Sequence, residues 1–327
     1  MSAALPPEAP PAASLFEPVR DRFGLRLALV LGNHAPGGLC PYYAAALCHH
    51  CDIGAGEGRA FAADDNRRRL AFFRERYAAV LPEVAHLVLY NSGSVLSPRE
   101  LPPDLLDWAL AWARAASPRL RAVSLDSREP YITRDAVLRV ARALGPGIEA
   151  RPILGLETAD DRLRDGLLEK RMPLPAVRRA FAAAGEAARR LGPERVGLDV
   201  NVVVAGPGTA PATAVPDAVA TARFALAEGR AAGVPVDLNL HPYYPSARGL
   251  ARFPAHPRCP PALAAAAAGA IAALRDALAP GAGVFLGWQD EGHDREPERR
   301  AEELARAQAA FDRFNRTQDA GALGTLA

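Results

Sequence analysis

Three of the four cysteines in the 327-residue chain fall within one short segment, GLCPYYAAALCHHCDIG. Cys40, Cys48 and Cys51 are separated by seven and two residues, so a single loop carries three soft sulfur ligands. On a [4Fe–4S] cluster, three thiolates leave one iron open to a small molecule. On zinc, three thiolates need a fourth ligand to complete a tetrahedron. Four residues are candidates for that ligand: His34, His49, His50 and the distant Cys259. Spacing alone leaves both centres open, with buried, unliganded thiols as a third interpretation.

The elements that must position this loop alternate along the chain. Seven short runs rich in valine, leucine and isoleucine have the length of strands, at residues 25–31, 86–91, 120–127, 150–157, 195–204, 234–241 and 283–288. Segments with helical periodicity lie between them, at 64–81, 104–116, 133–144 and around 173–191, 215–232 and 260–274. This alternation predicts an α/β fold, a partial or near-complete parallel (β/α) barrel of about six to seven units. An open, doubly wound sheet is the alternative.

Polar and ionisable residues gather immediately after the predicted strands. The loops there read GNHAPGGLC, NSGS, DSRE, ETAD, AGPG, HPYYP and QDEGH, whereas the helix-to-strand turns are mostly glycine, proline and alanine. Both architectures bind ligands at the carboxyl ends of their strands, so the sequence predicts a site on that face. Because the cysteine loop follows the first of these strands, its position favours a catalytic centre over a structural zinc.

The composition is typical of a globular protein, and the net charge is close to zero. Half the residues are hydrophobic, the mean hydropathy is −0.04, and 39 basic against 37 acidic residues leave a net charge of +2. The N-terminus lacks a secretory signal, and the longest apolar stretch, 260–274, is shorter than the ~20 residues that span a bilayer. We therefore expect a cytoplasmic protein with no membrane partner. Three regions are expected: a flexible Pro/Ala-rich arm (1–18), the barrel (19–295), and a charged helix and tail (296–327).

Four segments in order carry a family resemblance. They are the cysteine loop, YNSGSVLSPRELP after the second strand, LDSREPYIT after the third and ILGLETADDRLRDGLLEKRM at the fourth. Together they resemble the radical S-adenosylmethionine (SAM) superfamily, and within it the branch of the elongator catalytic subunit, the methylthiotransferases and the archaeosine-forming lyase. The resemblance covers residues 25–245 or so. The common spacing in that superfamily is C-x3-C-x2-C, so the seven-residue first gap is a departure, although longer gaps occur in this branch.

The resemblance implies a role for each matching residue. Cys40, Cys48 and Cys51 would hold a [4Fe–4S] cluster whose open iron binds the amino and carboxylate groups of SAM. Asn91, Ser92, Gly93 and Ser94 stand where the family places acceptors for the SAM amino group, although an ordinary turn explains the same residues. Ser127 and Arg128 would meet the ribose or carboxylate, Glu157 would accept ribose hydroxyls, and His50 would pack against the adenine.

The resemblance also implies a function. The expected enzyme cleaves SAM reductively to a 5′-deoxyadenosyl radical that abstracts hydrogen from substrate, with flavodoxin or ferredoxin as the reductant. The near-zero net charge favours a small-molecule substrate, with tRNA-base modification as the alternative. Substrate candidates lie on the loops at 241–244 and 288–293. A different class, a zinc-stapled α/β binding or hydrolytic protein, stays open, as does the role of Cys259.

Overall fold

The protein folds around one eight-stranded sheet whose strands follow chain order. The computed structural model describes residues 8–11, 14–51, 53–207, 209–243, 247–254, 260–274, 278, 282–287, 301–324 and 326. The strands are β1 (Val19–Asp21), β2 (Gly24–Val30), β3 (Val84–Tyr90), β4 (Ala122–Ser127), β5 (Glu149–Glu157), β6 (Leu198–Val204), β7 (Val236–Pro242) and β8 (Val284–Leu286). β1 pairs antiparallel with β2, and every later pair is parallel. The α/β partial barrel with seven parallel strands is confirmed.

Helices connect the parallel strands, as right-handed β/α units require. They are α1 (Pro41–Ala44), α2 (Ala63–Arg76), α3 (Pro103–Ala116), α4 (Arg134–Leu144), α5 (Leu174–Leu191), α6 (Pro211–Ala232), α7 (Ala247–Arg252), α8 (Pro260–Leu274) and α9 (Ala301–Thr317). A π-helical turn, Arg162–Leu167, lies between β5 and α5. Among the described residues, none of these helices is long and apolar enough to cross a membrane.

Side-chain alternation along the strands separates an apolar outer layer from a mixed interior. On β2, Leu27 and Leu29 belong to the main core cluster, whereas Ala28 and Val30 pack in a separate cluster with Val88. Because successive side chains on a strand point to opposite faces, the second cluster lies on the face opposite the helices. Both faces are covered, which explains why the strand sequences are almost continuously apolar.

The amino-terminal end of the barrel interior is filled by a buried ionic network. Arg151, which is fully buried, donates to Asp199 at 2.7 Å and lies 3.0 Å from Asp237. Asp199 also accepts a 2.5 Å hydrogen bond from Ser124 Oγ. We call this network of Arg151, Asp199, Asp237 and Ser124 the ionic plug. Because it fills the amino-terminal end of the barrel, we expect a ligand to bind at the carboxyl end.

The last helix covers the free edge of the sheet. The Asn315 side chain accepts from the Leu286 N–H at 2.7 Å and donates to the Leu286 carbonyl at 3.1 Å. Gln318 makes the same pair of bonds to Val284, at 2.8 and 3.0 Å. Two side-chain amides therefore satisfy backbone groups of β8 that a ninth strand would otherwise pair. This helix, part of the charged C-terminal segment, also buries Phe311 and Phe314.

One strand differs from the sequence-based expectation. The antiparallel strand β1 was not predicted, because three residues carry too little periodicity to be recognised. In the described part of the predicted Pro/Ala-rich arm, the Glu8 carbonyl accepts from Arg69 Nε at 2.6 Å, and the Phe16 carbonyl accepts from Tyr77 Oη at 2.9 Å. The division into arm, barrel and tail stays a prediction.

Candidate functional site

The cysteine loop links β2 to α2 and contacts the segment that follows β5. Cys48 lies in the left-handed region, with φ of 54°, and its N–H donates to the Glu169 carbonyl at 3.3 Å. The next residue, His49, donates to the Leu168 carbonyl at 3.1 Å. Two consecutive backbone hydrogen bonds therefore fix the middle cysteine at the carboxyl end of the barrel.

Two glycines allow the cysteine loop to fold tightly on itself. Gly38 and Gly56 have φ of 69° and 57°, a conformation that other residues rarely adopt. A Cβ on Gly38 would lie 1.9 Å from the Arg59 carbonyl oxygen, and one on Gly56 would lie 2.1 Å from the Gly38 carbonyl oxygen. Backbone packing this close admits no side chain at either position.

The three loop cysteines are free thiols that interact electrostatically. Burial raises the pKa of Cys40, and it raises the pKa of Cys51 to about 12, with the neighbouring cysteines adding to each increase. A thiolate in such surroundings needs positive charge nearby, which a bound metal centre provides. Three free thiols in one loop are a donor set that suits an iron–sulfur cluster.

Arg128, at the end of β4, contacts the cysteine loop directly. Its Nη1 lies 3.2 Å from Cys48 Sγ, and its guanidinium carbon lies 3.5 Å from the centroid of the Tyr42 ring. Its Nη2 donates to the Lys170 carbonyl at 2.5 Å. Nε lies 3.5 Å from Glu129 Oε2 but forms no hydrogen bond. The guanidinium therefore spans three segments of the site and keeps one N–H donor.

The loop after β3, Asn91–Ser94, joins the cysteine loop to β4. Ser92 Oγ donates to the Gly38 carbonyl at 2.8 Å, and Ser94 Oγ accepts from the Arg128 N–H at 3.1 Å. Asn91 Oδ1 accepts from the Gly93 N–H at 2.9 Å, which leaves the buried Asn91 Nδ2 without a partner. In this arrangement the Asn91 side chain offers a ligand a donor rather than the acceptor that the resemblance implies.

Gly93 packs against the buried carboxylate of Glu100, a residue that was not predicted from the sequence. Glu100 Oε2 accepts from the Ser94 N–H at 2.9 Å, and a Cβ on Gly93 would lie 1.6 Å from that oxygen. Burial raises the pKa of Glu100. Ser127, in turn, accepts from the Leu96 N–H at 3.0 Å, so its hydroxyl holds this loop in place. The predicted roles of these residues toward SAM stay predictions.

Glu157, at the end of β5, forms a buried ion pair with Lys170. Lys170 Nζ lies 2.9 Å from Glu157 Oε1, and His50 Nε2 lies 3.7 Å from the same oxygen. Although burial opposes it, the Lys170 ammonium holds the pKa of Glu157 well below its usual value. Burial, together with the charge of Lys170, lowers the pKa of His50, whose Nδ1 has no hydrogen-bond partner. A carboxylate, an ammonium and a neutral imidazole thus meet beside the cysteines.

Backbone strain is concentrated in these segments. Of the seven non-glycine residues with positive φ among those described, five lie here: Ala46, Cys48, Glu157, Glu169 and Arg171. Each such conformation costs about 1–3 kcal/mol and persists where the surroundings impose it, commonly at functional sites. Lys170 lies between two of these residues, Glu169 and Arg171.

Asp126 places a carboxyl group in the interior below this site. It lies on the same face of β4 as Ser124, and burial, reinforced by the charge of Glu157, raises its pKa to about 7. Because side chains alternate between the two faces of β4, the sequence could have predicted that Asp126 points into the barrel, as Ser124 does. No comparable signal exists for Lys170, whose position depends on the π-helical turn.

Part of the predicted site is outside the described residues, namely Cys259 and residues 244 and 288–293. Within the described residues, no group of three or more histidine, cysteine, aspartate or glutamate side chains is arranged around a single metal ion. Cys40, Cys48 and Cys51 are among the residues that this finding covers, so it does not distinguish zinc from an iron–sulfur cluster.

No protein-family model and no curated protein sequence matches the chain. Among solved structures it is similar to the radical SAM methyltransferase TsrM from Kitasatospora setae, in one structure with cobalamin and a [4Fe–4S] cluster bound and in another with tryptophan substrate and the SAM analogue aza-SAM. The identities are 16% and 15%, and the TM-score is 0.39 in both cases. The match covers 65% of this chain and 36% and 35% of the TsrM chains, so it spans about a third of that protein.

Proposed function

We propose that this protein is a radical SAM enzyme that holds a [4Fe–4S] cluster through Cys40, Cys48 and Cys51. The observation that carries the proposal is the meeting of four motifs: the cysteine loop is joined by direct hydrogen bonds to the loop after β3, to Arg128 after β4 and to the segment after β5. These are the segments on which the sequence resemblance rests. When bound, such a cluster supplies the electron that cleaves SAM and so starts hydrogen abstraction from substrate.

Several side chains are suited to hold SAM beside the cysteines. Arg128 Nε and Asn91 Nδ2 are buried donors without acceptors among the described residues, and both suit the methionine carboxylate. Glu157 is ionised and lies at the strand end where ribose hydroxyls are expected, and His50 offers an apolar ring face for the adenine. Burying these groups against a ligand excludes water and stray hydrogen donors, which is the main task of the protein in such chemistry.

We further propose a small-molecule substrate that enters from the carboxyl end of the barrel. The ionic plug around Arg151 fills the opposite end. Between plug and cysteine loop lie Asp126 and the Asn201–Asn239 pair, whose side chains are hydrogen-bonded at 2.9 Å. Such an interior suits a substrate that is polar on one side and apolar on the other. A flavodoxin or ferredoxin would supply the electron.

Metal and sulfide analysis tests the cluster assignment. Anaerobically reconstituted protein should be brown and contain about four irons and four sulfides per chain. Cys48→Ala should lose iron and sulfide while keeping the wild-type circular dichroism spectrum, and replacing the isolated Cys259 with alanine serves as the matched control. Colourless wild-type protein that holds one zinc would refute the proposal and favour the zinc-stapled alternative.

A further inference from the structure

Arg128 donates to a cysteine sulfur as well as facing the expected SAM pocket. Its Nη1 lies 3.2 Å from Cys48 Sγ, within the range of an N–H···S hydrogen bond. Cys48 is buried, and its backbone N–H is bound to the Glu169 carbonyl at 3.3 Å. The sulfur therefore meets a fixed cationic donor.

The guanidinium cannot easily turn away from this sulfur, because three other contacts hold it. Its face packs on the Tyr42 ring, with 3.5 Å between the guanidinium carbon and the ring centroid. Its Nη2 is bound to the Lys170 carbonyl at 2.5 Å, and its Nε lies 3.5 Å from Glu129 Oε2. Through the cation–π pair with Tyr42 and the contact with Cys48, Arg128 joins two residues of the cysteine loop.

We propose that Arg128 is a positioning residue that fixes Cys48 and raises the reduction potential of the cluster. The inference rests on the proposed function. Reduction adds negative charge to an iron–sulfur centre, and hydrogen bonds and positive charge at a ligand sulfur stabilise the reduced state. A guanidinium stays protonated throughout the accessible pH range, so the donor stays charged.

Arg128 and Lys170, the two cations of the site, differ in how closely a carboxylate offsets their charge. Lys170 Nζ is bound to Glu157, so its charge is offset by a carboxylate at 2.9 Å. Of the carboxylates in the described part of the chain, Arg128 has only the longer contact with Glu129, at 3.5 Å, and its Nη1 is bound to sulfur. The field of Arg128 therefore acts on Cys48 more directly than that of Lys170.

Redox titration of the reconstituted cluster, followed by electron paramagnetic resonance without SAM, tests the proposal. Arg128→Gln should shift the midpoint potential to a more negative value, and Arg128→Lys should shift it less, because a point charge remains but the planar contact with Tyr42 is lost. Arg178→Gln, which removes an exposed arginine paired with Glu228 on α6, is the matched control and should leave the potential unchanged. Tyr42→Phe keeps the aromatic face and should also have no effect.

Wild-type potentials in both Arg128→Gln and Arg128→Lys would overturn the assignment. If Arg128→Gln retains too little cluster to titrate, Arg128→Lys alone decides by the same criterion. A wild-type protein that holds no cluster would refute the proposed function, whereas a cluster whose potential ignores Arg128 would refute only this inference.

Discussion

Lys170 Nζ lies 2.9 Å from Glu157 Oε1, and both side chains are buried beside the cysteine loop. Removing one member of such a pair leaves the other as an uncompensated buried charge. Lys170→Met should therefore lower the free energy of unfolding by about 3–5 kcal/mol. Urea unfolding monitored by circular dichroism measures the loss.

The double variant Lys170→Met/Glu157→Gln separates the ion pair from other causes. Because it removes both charges, it should recover part of the stability that Lys170→Met loses, giving a coupling energy of about 1–3 kcal/mol. Strictly additive losses would mean that the pair contributes nothing beyond its separate side chains.

Gly93 tests whether the loop after β3 is built for close approach rather than being an ordinary turn. Gly93→Ala places a methyl group against Glu100 Oε2 and should break the bond from Glu100 to the Ser94 N–H. We expect the variant to lower affinity for SAM at least tenfold in equilibrium dialysis against the reconstituted protein. Gly166→Ala, where nothing lies within 4 Å of the added Cβ, is the matched control. Equal affinity in the two variants would show that the loop plays no part in binding.

Asp126 should make the folded protein less stable as pH rises through neutrality. Burial raises its pKa to about 7, above the unfolded value near 4, so the folded state binds the proton more tightly. The stability it contributes is present below pH 4 and is lost as pH rises toward 7. Asp126→Asn should remove this loss, and we expect it to stabilise the protein relative to wild type by up to about 4 kcal/mol at pH 8. A difference between variant and wild type that is constant from pH 5 to 8 would contradict the assignment.

His86 links the ionic plug to β1 at the other end of the barrel. Its Nδ1 lies 2.5 Å from Asp21 Oδ2, and its Nε2 lies 2.7 Å from Ser124 Oγ. Because Ser124 gives its single hydroxyl proton to Asp199, its Oγ is left to accept from the imidazole Nε2. The arrangement resembles a Ser-His-Asp triad, but the buried hydroxyl is already committed, so it is no nucleophile.

The contact between Asp21 and His86 predicts that the free energy of unfolding falls in acid. Although burial opposes it, His86 holds the pKa of Asp21 below its ordinary value, so the contribution of Asp21 is present above pH 4 and is lost as pH falls through its folded pKa. Asp21→Asn should cost about 3 kcal/mol at pH 7 in urea unfolding, and the difference from wild type should shrink below pH 3. Asp64→Asn, at an exposed residue of α2, is the control. A loss independent of pH would exclude the proposed ion pair.

The barrel could be predicted from sequence because each parallel strand is buried on both faces and reads as a short apolar run. The cysteine loop and the segments after β3, β4 and β5 were also recognisable, since strand order fixes which loops share an end. Lys170 and Glu100 could not be found this way. Their positions depend on a π-helical turn and on a glycine contact, neither of which leaves a periodic pattern. The amide cap of β8 by Asn315 and Gln318 likewise depends on tertiary contact alone.

The most direct test of the account is reductive cleavage of SAM by the reconstituted protein. With dithionite and SAM under anaerobic conditions, the wild-type protein should yield 5′-deoxyadenosine, measured by chromatography and mass spectrometry, and Cys48→Ala should yield none. Folded wild-type protein with a full complement of iron and sulfide that forms no 5′-deoxyadenosine, or Cys48→Ala protein that forms it at the wild-type rate, would contradict the account.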